Sequence, residues 1–118
     1  MPEDPEELIK LPGVGRYTAG AVACFAYERP VPTVDTNVAR VLSRVFLGAD
    51  GKRTTDDGRL RRLATTLVPR NGKRAWRFNQ AVMELGALVC VARKPKCPEC
   101  PVREGCRTGR RLGRRLDA

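Results

Sequence analysis

The chain has 118 residues, of which 42% are hydrophobic, and carries a formal net charge of +10. This length suffices for one domain with a modest core. It contains no apolar run long enough to cross a bilayer and no secretory signal, so we expect a protein that is neither secreted nor inserted in a membrane. The excess of cations favours a polyanionic partner, either nucleic acid or an acidic membrane face. Because the chain has no histidine, imidazole acid–base chemistry and His-ligated zinc are excluded.

The apolar pattern predicts an all-α fold, because no convincing run alternates polar and apolar residues with period two. The first predicted helix covers residues 2–10, has acidic residues in its first turn, and is closed by Pro12. The second covers residues 16–28 and is interrupted by Gly20, and residues 29–34 should be extended because they contain two prolines. Further helices are predicted over residues 37–48, 59–69 and 73–92, the last ending near Cys90.

The third predicted helix has the clearest amphipathic pattern. Asp35 or Thr36 is expected to cap it. One of its faces carries four apolar residues, namely Val38, Val41, Leu42 and Val45. Residues 49–58 look like a turn, and the Gly- and Arg-rich tail at 107–118 is expected to be flexible without a partner.

The stretch LPGVG, residues 11–15, lies immediately before the second helix. A glycine-rich hairpin there would leave backbone N–H groups free at the start of the helix, where they can bind an anion. Gly13 and Gly15 have no Cβ, so a phosphate could approach the backbone closely, and Arg16 adds a cation. Leu11 and Val14 are expected to pack the hairpin against its flanking helices. This arrangement is typical of a helix-hairpin-helix motif, which binds nucleic-acid phosphates without reading sequence; a plain helix–helix turn is the alternative.

Four cysteines near the C-terminus have the spacing C-x6-C-x2-C-x5-C; they are Cys90, Cys97, Cys100 and Cys106. A disulfide framework is possible, but no secretory signal supports an oxidising compartment. Zinc sites usually show paired C-x2-C knuckles, and only one is present here. Four thiolates in one segment also suit a [4Fe–4S] cluster, so the spacing alone leaves zinc and iron–sulfur as equal alternatives. Cys24 lies far away in an apolar helix and is expected to be a buried hydrophobe.

Three motifs in chain order resemble the helix-hairpin-helix DNA glycosylase superfamily, which includes endonuclease III and MutY. They are LPGVGRYTAGAV, PTVDTNVARVLSRVF, and FNQAVMELGALVC with the cysteine spacing that follows. The last motif most resembles MutY-type adenine glycosylases, which remove adenine misplaced opposite 8-oxoguanine. The resemblance implies a partial HhH-GPD glycosylase domain over residues 1–106, with a hairpin at about 8–28 and a [4Fe–4S] cluster loop at 90–106. It also implies that Cys90, Cys97, Cys100 and Cys106 are the cluster ligands.

The resemblance also implies catalytic roles for residues around the third helix. Asp35 matches the invariant aspartate of the superfamily's "VD" signature. A carboxylate beneath the sugar stabilises the positive charge that develops when an N-glycosidic bond breaks, and it can also activate water. Asp35 could cap the helix at the same time. Asn37 matches an asparagine of the MutY pattern and could hydrogen-bond the carboxylate or the sugar, unless it serves only the start of the helix.

Two residues depart from parts of the family pattern. Tyr17 stands where bifunctional relatives such as endonuclease III have a lysine that forms a Schiff base. A tyrosine cannot do so, which implies a monofunctional glycosylase of the adenine- or thymine-removing kind; the alternative is a packed aromatic on the helix. Thr36 stands where MutY proteins often have glycine, which leaves the chemistry unchanged but makes the subfamily less certain.

In the family, the loop between the first two cluster cysteines faces the DNA backbone. Here it carries three cations, Arg93, Lys94 and Lys96. The implied cluster would hold this basic loop against phosphates. The alternative is a simple solvated turn.

The resemblance therefore predicts a base-excision-repair enzyme that acts on double-stranded DNA containing a mismatched or damaged base, located at the bacterial nucleoid or in a nucleus. The glutamate that protonates adenine in the family, the residues that wedge into the duplex and the 8-oxoguanine-recognition domain have no match in the sequence. We therefore expect a fragment that is inactive alone and is completed by an N-terminal half. The alternatives are a thymine mismatch glycosylase, an endonuclease III-like enzyme, or a non-catalytic DNA-binding module with a structural metal.

Overall fold

A computed structural model describes residues 2–48 and 58–109, and within these ranges the chain is helical and has no β-strand. The predicted all-α class is therefore confirmed. The turn expected at 49–58 lies outside the described residues except for Gly58, and the tail expected at 107–118 does so beyond Gly109.

The helices follow the predicted order, with different ends. Helix α1 spans Pro5–Leu8, α2 spans Arg16–Ala21, and α3 spans Thr36–Leu42. Helices α2 and α3 each continue into a π-helical turn, Val22–Ala26 and Ser43–Leu47 respectively. Helix α4 spans Gly58–Leu67 and α5 spans Gly72–Leu88. Two 3₁₀ turns, Cys97–Glu99 and Arg103–Gly105, lie in the cysteine segment.

The first helix is shorter than predicted. Asp4 caps it by accepting a hydrogen bond from the Glu6 amide, and Pro5 occupies the first helical position. An N-cap aspartate accepts a hydrogen bond from a backbone amide that has no partner within the helix, and proline at the first helical position has no such amide hydrogen. Both residues therefore favour a helix start at this point. The helix ends at Leu8, four residues before Pro12, so the prediction that Pro12 closes it was wrong.

Gly20 lies within α2 and does not interrupt it, contrary to the prediction. It is buried, and a Cβ at this position would lie 2.7 Å from the Pro32 carbonyl oxygen. The glycine therefore allows the extended segment 29–34 to pass directly over the helix.

The hydrophobic core lies in three adjoining clusters. The largest joins α3 to α4 and α5 and is formed by Val34, Val38, Ala39, Leu42, Leu60 and Ala64. The predicted apolar face of α3 is confirmed, because Val38, Val41 and Leu42 are buried and Val45 is partly buried. A second cluster, formed by Leu8, Ala19 and Ala23, lies under the hairpin, and a third, formed by Cys24, Val68 and Ala75, lies between α2 and α5.

Asn79 of α5 fixes the segment that leads into α3. Its buried side chain accepts a hydrogen bond from the Thr33 amide at 3.3 Å and donates to the Val31 carbonyl at 2.9 Å. It also donates to the Cys24 thiol at 3.2 Å. Since Thr33 is two residues before Asp35, α5 determines where α3 begins.

Candidate functional site

The hairpin between α1 and α2 is built as the sequence predicts, with one exception. Gly13 has the left-handed φ of +76°, and Gly15 caps α2 without any side-chain hydrogen bond. A Cβ added at either glycine would meet no described atom within 4 Å, so the hairpin backbone is open on that side. Val14 packs into the cluster beneath the hairpin, whereas Leu11 is 37% exposed and does not pack there as expected.

Asp35 stands at the N-cap of α3. One of its carboxylate oxygens accepts a hydrogen bond from the Val38 amide at 2.7 Å, which confirms the predicted capping role. The second oxygen makes no hydrogen bond with the residues that the structure describes. The residue is only partly buried, so this oxygen remains available to a bound molecule.

Tyr17 lies within the electrostatic reach of Asp35. Partial burial raises the pKa of the Tyr17 hydroxyl, and the negative charge of Asp35 raises it further. The phenol therefore stays protonated at neutral pH and can donate a hydrogen bond. Tyr17 is 37% exposed, so its ring is partly packed against the protein and partly accessible. The hairpin helix and the N-terminus of α3 thus present Tyr17 and Asp35 to the same region.

Asn37 is bonded to Arg40, with no hydrogen bond to Asp35 among the described residues. Its Oδ1 accepts a hydrogen bond from Arg40 Nη2 at 2.9 Å. The expected hydrogen bond to the Asp35 carboxylate is therefore absent from this structure. Arg40 also donates to the Gly86 carbonyl at 2.7 Å and, through Nε, to the Cys90 carbonyl at 2.9 Å.

Arg44 makes the second link from α3 to the cysteine segment. It is only 3% exposed and donates to the Val91 carbonyl at 2.8 Å and to the Ala92 carbonyl at 3.0 Å. Its Nη1 also lies 3.4 Å from Cys90 Sγ. Sequence reasoning missed both arginines, although their four-residue spacing places two cations on one side of an otherwise apolar helix.

The four clustered cysteines line one cavity beside Arg44. All five described cysteines have free thiols, so the disulfide alternative is wrong for this structure. Burial, followed by the neighbouring thiols Cys90, Cys106 and Cys100, raises the pKa of Cys97, while Arg44 lowers it. Cys24 is in a different cluster, buried as expected.

The four thiols fit a [4Fe–4S] cluster. They line one common cavity, and such a cluster is held by four cysteine thiolates.

The loop after α5 is fixed at both ends. The Cys90 amide donates to the Leu85 carbonyl at 2.7 Å, and the Lys96 amide donates to the Val89 carbonyl at 2.9 Å. Arg93, Lys94 and Lys96 are exposed and form no ion pair with described residues. The loop therefore presents three cations from a closed backbone turn.

No helix in the described part of the chain is long and apolar enough to span a bilayer.

Comparison with known proteins agrees with this geometry. A helix-hairpin-helix motif matches residues 1–25, and the iron-sulfur binding domain of endonuclease III matches residues 90–106. Adenine DNA glycosylases are 50% identical over 103 residues in Mycolicibacterium smegmatis and 49% identical over 114 residues in Homo sapiens. Over most of its own length, the chain is therefore similar in sequence to helix-hairpin-helix DNA glycosylases. Its residues 90–106 match an iron-sulfur binding domain, so an iron–sulfur cluster is its cofactor.

Solved structures of the superfamily share the fold of this chain. A thermostable thymine-DNA glycosylase superposes with a TM-score of 0.84 at 36% identity, over 94% of this chain and 50% of that one. The protein of a non-covalent endonuclease III–DNA complex superposes with a TM-score of 0.75 at 33% identity, over 97% of this chain and 51% of that one. The chain covers 34% of the Mycolicibacterium smegmatis glycosylase and 20% of the human one. It therefore corresponds to only part of these relatives.

Proposed function

We propose that this chain forms part of a monofunctional adenine DNA glycosylase that hydrolyses the N-glycosidic bond of adenine mispaired with 8-oxoguanine or guanine. The observation that carries the proposal is the placement of Asp35. Asp35 keeps one carboxylate oxygen without a described hydrogen bond and lies within electrostatic reach of Tyr17, in a chain about half identical to adenine DNA glycosylases.

The proposed chemistry depends on the charge of Asp35. As the base departs, positive charge develops on the sugar, and a fixed carboxylate stabilises that charge or activates the attacking water. The Val38 amide holds one oxygen in place, so the other has a defined position. Tyr17 offers no amine for a Schiff base, so the strand should not be cut by β-elimination. Asn37 acts through Arg40 to fix α3 against the cysteine segment.

Two surfaces would hold the DNA. The open backbone of the hairpin at Leu11, Gly13, Val14 and Gly15, together with Arg16, would receive one phosphate. Arg93, Lys94 and Lys96 would contact others from the loop. Cys90, Cys97, Cys100 and Cys106 would ligate the [4Fe–4S] cluster, which when bound cross-links the loop to α5 and so orders the basic side chains.

The first test is a single-turnover glycosylase assay on a duplex with one A:8-oxoguanine pair, read with and without alkali. General acid assistance to the leaving adenine contributes about 10²–10⁴-fold, and we assign no general acid to this chain. We therefore expect the chain alone to bind the duplex and release no detectable adenine. Adding the N-terminal portion of the Mycolicibacterium smegmatis enzyme, fused or in trans, should restore release.

Asp35→Asn in the reconstituted protein should abolish adenine release, because the isosteric amide can still cap α3 but carries no charge. Asp4→Asn is the matched control, since Asp4 also caps a helix and should leave activity intact. Full activity of the Asp35→Asn protein would overturn the assignment. Robust release by the unsupplemented chain would contradict the need for a second half, and no release by the reconstituted protein would argue for a non-catalytic DNA-binding module.

A second candidate is a thymine mismatch glycosylase. It is favoured by the TM-score of 0.84 to the thymine-DNA glycosylase and by 38% identity to a thymine/uracil-DNA glycosylase of Methanothermobacter thermautotrophicus, of which the chain covers 47%. A T:G duplex in the same assay distinguishes the two candidates. Release of thymine without adenine would favour the second.

A further inference from the structure

A cationic surface around an exposed tryptophan lies at the start of α5. We call it the Trp76 patch; its members are Lys73, Trp76 and Arg77, which line one cleft together with Glu28. All three members are exposed, Trp76 to 39%. Arg70 and Arg74 are two further exposed cations near the start of α5. None of these four cations forms an ion pair with the residues that the structure describes. The patch therefore combines two cations and an accessible aromatic surface beside one carboxylate.

Helix stability does not explain these cations. Lys73 and Arg74 lie in the first turn of α5, where the helix dipole is positive and disfavours them. The Asn71 side chain already satisfies their two backbone amides, at 3.0 and 3.1 Å. Their side chains contribute nothing to the cap, so their charge is available to a partner.

The indole of Trp76 is held in place on one side. It makes a T-shaped contact with Phe25, with ring centroids 5.7 Å apart and an interplanar angle of 89°. Beside it lies a cleft of about 170 Å³ lined by Glu28, Lys73, Trp76 and Arg77. A flat ligand entering this cleft would meet an immobilised aromatic surface next to two cations.

The patch is separate from the residues that carry the proposed glycosylase function. It lies at the first turn of α5, whereas the cysteine loop follows the last; the 17 residues of α5 span about 25 Å. Phe25 and Glu28 adjoin the patch. They lie at or just beyond the C-terminal end of the π-helical turn that continues α2, whereas the hairpin precedes the N-terminus of α2. A ligand on the Trp76 patch would thus leave both proposed duplex contacts free.

We propose that the Trp76 patch binds single-stranded nucleic acid, with one base stacked on Trp76 and the flanking phosphates on Lys73 and Arg77. Aromatic side chains bordered by cations are the usual means of binding unpaired strands, because every base has a stacking face and every nucleotide a phosphate. An acidic peptide would match the cations but leave the indole without a counterpart. A duplex keeps its bases stacked within the helix and offers none to the indole.

The chain contains a single tryptophan, so the proposal has a direct optical readout. Titrating the full chain, with its cluster reconstituted, with a single-stranded oligothymidine should quench Trp76 emission. An abasic oligonucleotide of the same length keeps the charge but has no bases, and it should bind more weakly with little quenching. A poly-glutamate peptide should leave the emission unchanged.

Two sets of variants separate stacking from charge, with affinity measured by anisotropy of a labelled oligothymidine. Trp76→Ala should weaken binding about 10-fold or more, and Trp76→Phe should recover part of the loss. Lys73→Gln with Arg77→Gln should make the slope of log affinity against log salt shallower by about 1.4. These two exposed side chains form no hydrogen bond or ion pair with described residues, so that protein should fold even if Trp76→Ala does not.

Arg62→Gln is the matched control, because it removes an exposed cation of α4 that lies outside the patch, and it should leave oligothymidine binding nearly unchanged. Binding of oligothymidine without quenching, or unchanged affinity in the double glutamine variant, would overturn the proposal. Stronger binding of poly-glutamate than of oligothymidine would do so in favour of an acidic protein partner. Each result is independent of adenine release, so it does not depend on the proposed glycosylase activity.

Discussion

Arg44 carries its positive charge in the interior of the protein, where only 3% of the residue is exposed. A buried guanidinium is costly to desolvate unless its donors are satisfied, and here two backbone carbonyls and a thiol accept from it. These three acceptors lie 46 to 48 residues away from Arg44 along the chain. Arg44 therefore couples α3 to the cysteine loop through contacts that only the folded chain contains.

Arg44→Gln should consequently loosen the cysteine loop. We expect a loss of about 2 kcal/mol or more in the free energy of unfolding, because hydrogen bonds to charged groups contribute about 1.5–3 kcal/mol. Urea unfolding and the iron content per chain measure the effect. Arg44→Lys should be nearly as damaging, since an ammonium cannot reproduce the planar fork. The exposed Arg62→Gln is the control, and equal stability of Arg44→Gln and Arg62→Gln would show that the buried links do not matter.

Asp35 combines two roles that a sequence pattern can reveal separately. An aspartate before an apolar helical run predicts a cap, and the family motif implies catalysis. The structure supports their coexistence, because the cap uses only one carboxylate oxygen.

Among the elements, the hairpin depends on two glycines for different reasons. Gly13 needs its left-handed φ of +76°, which costs other residues about 1–2 kcal/mol. Gly15 has an extended backbone with φ of −89° that any residue can adopt. Only the absence of a Cβ, and the open space beside it, distinguishes Gly15 from other possible residues.

The two glycines therefore predict losses of different size in stability. Gly13→Ala should lower the free energy of unfolding by about 1–2 kcal/mol, whereas Gly15→Val should lower it by less, because it loses only a helix cap that has no side-chain hydrogen bond. Gly15→Val should nevertheless weaken duplex binding, because its side chain blocks the approach of a phosphate to the hairpin backbone. Thermal unfolding and duplex titration, performed on the same samples, measure the two effects. A Gly15→Val protein with normal stability and normal affinity would argue against phosphate binding by the hairpin.

The sequence predicts the order of the elements better than their ends. The cap at Asp35 and the apolar face of α3 follow from local pattern and are confirmed. The extent of α1 was overestimated because acidic residues and a proline suit a helix start without fixing its position. Arg40, Asn79 and Gly86 were missed because their partners lie 46 to 50 residues away. Gly86, for example, matters because a Cβ there would lie 3.0 Å from the Asn37 side chain.

For the whole molecule, the net charge of +10 does not act uniformly. Some cations, such as Lys10 beside Glu7, are paired, and Arg44 is buried. Arg93, Lys94 and Lys96 are exposed on a fixed loop and have no described ion pair. Affinity for duplex DNA should therefore depend on the positions of the cationic side chains as well as on their number.

Replacing Arg93, Lys94 and Lys96 together by glutamine should weaken duplex binding and make its dependence on salt less steep. If each side chain releases counterions from one phosphate contact, the slope of log affinity against log salt should fall by about 2.7. Lys10→Gln is the control, because its charge is already paired with Glu7. Duplex titrations at several salt concentrations measure both. An unchanged slope in the triple variant would show that the loop does not contact phosphates.

The hydrogen bonds of Asn79 restrict which side chains can occupy this position. Its amide accepts from the Thr33 backbone and donates to the Val31 backbone, and so it bonds to groups of opposite polarity on one extended segment. An aspartate of the same shape could accept from Thr33 but would turn a second lone pair toward the Val31 carbonyl. Deamidation of this one side chain would therefore convert an attraction into a repulsion in the interior, close to the start of the helix that carries Asp35. The junction before α3 thus requires a side chain that accepts a hydrogen bond on one atom and donates from another.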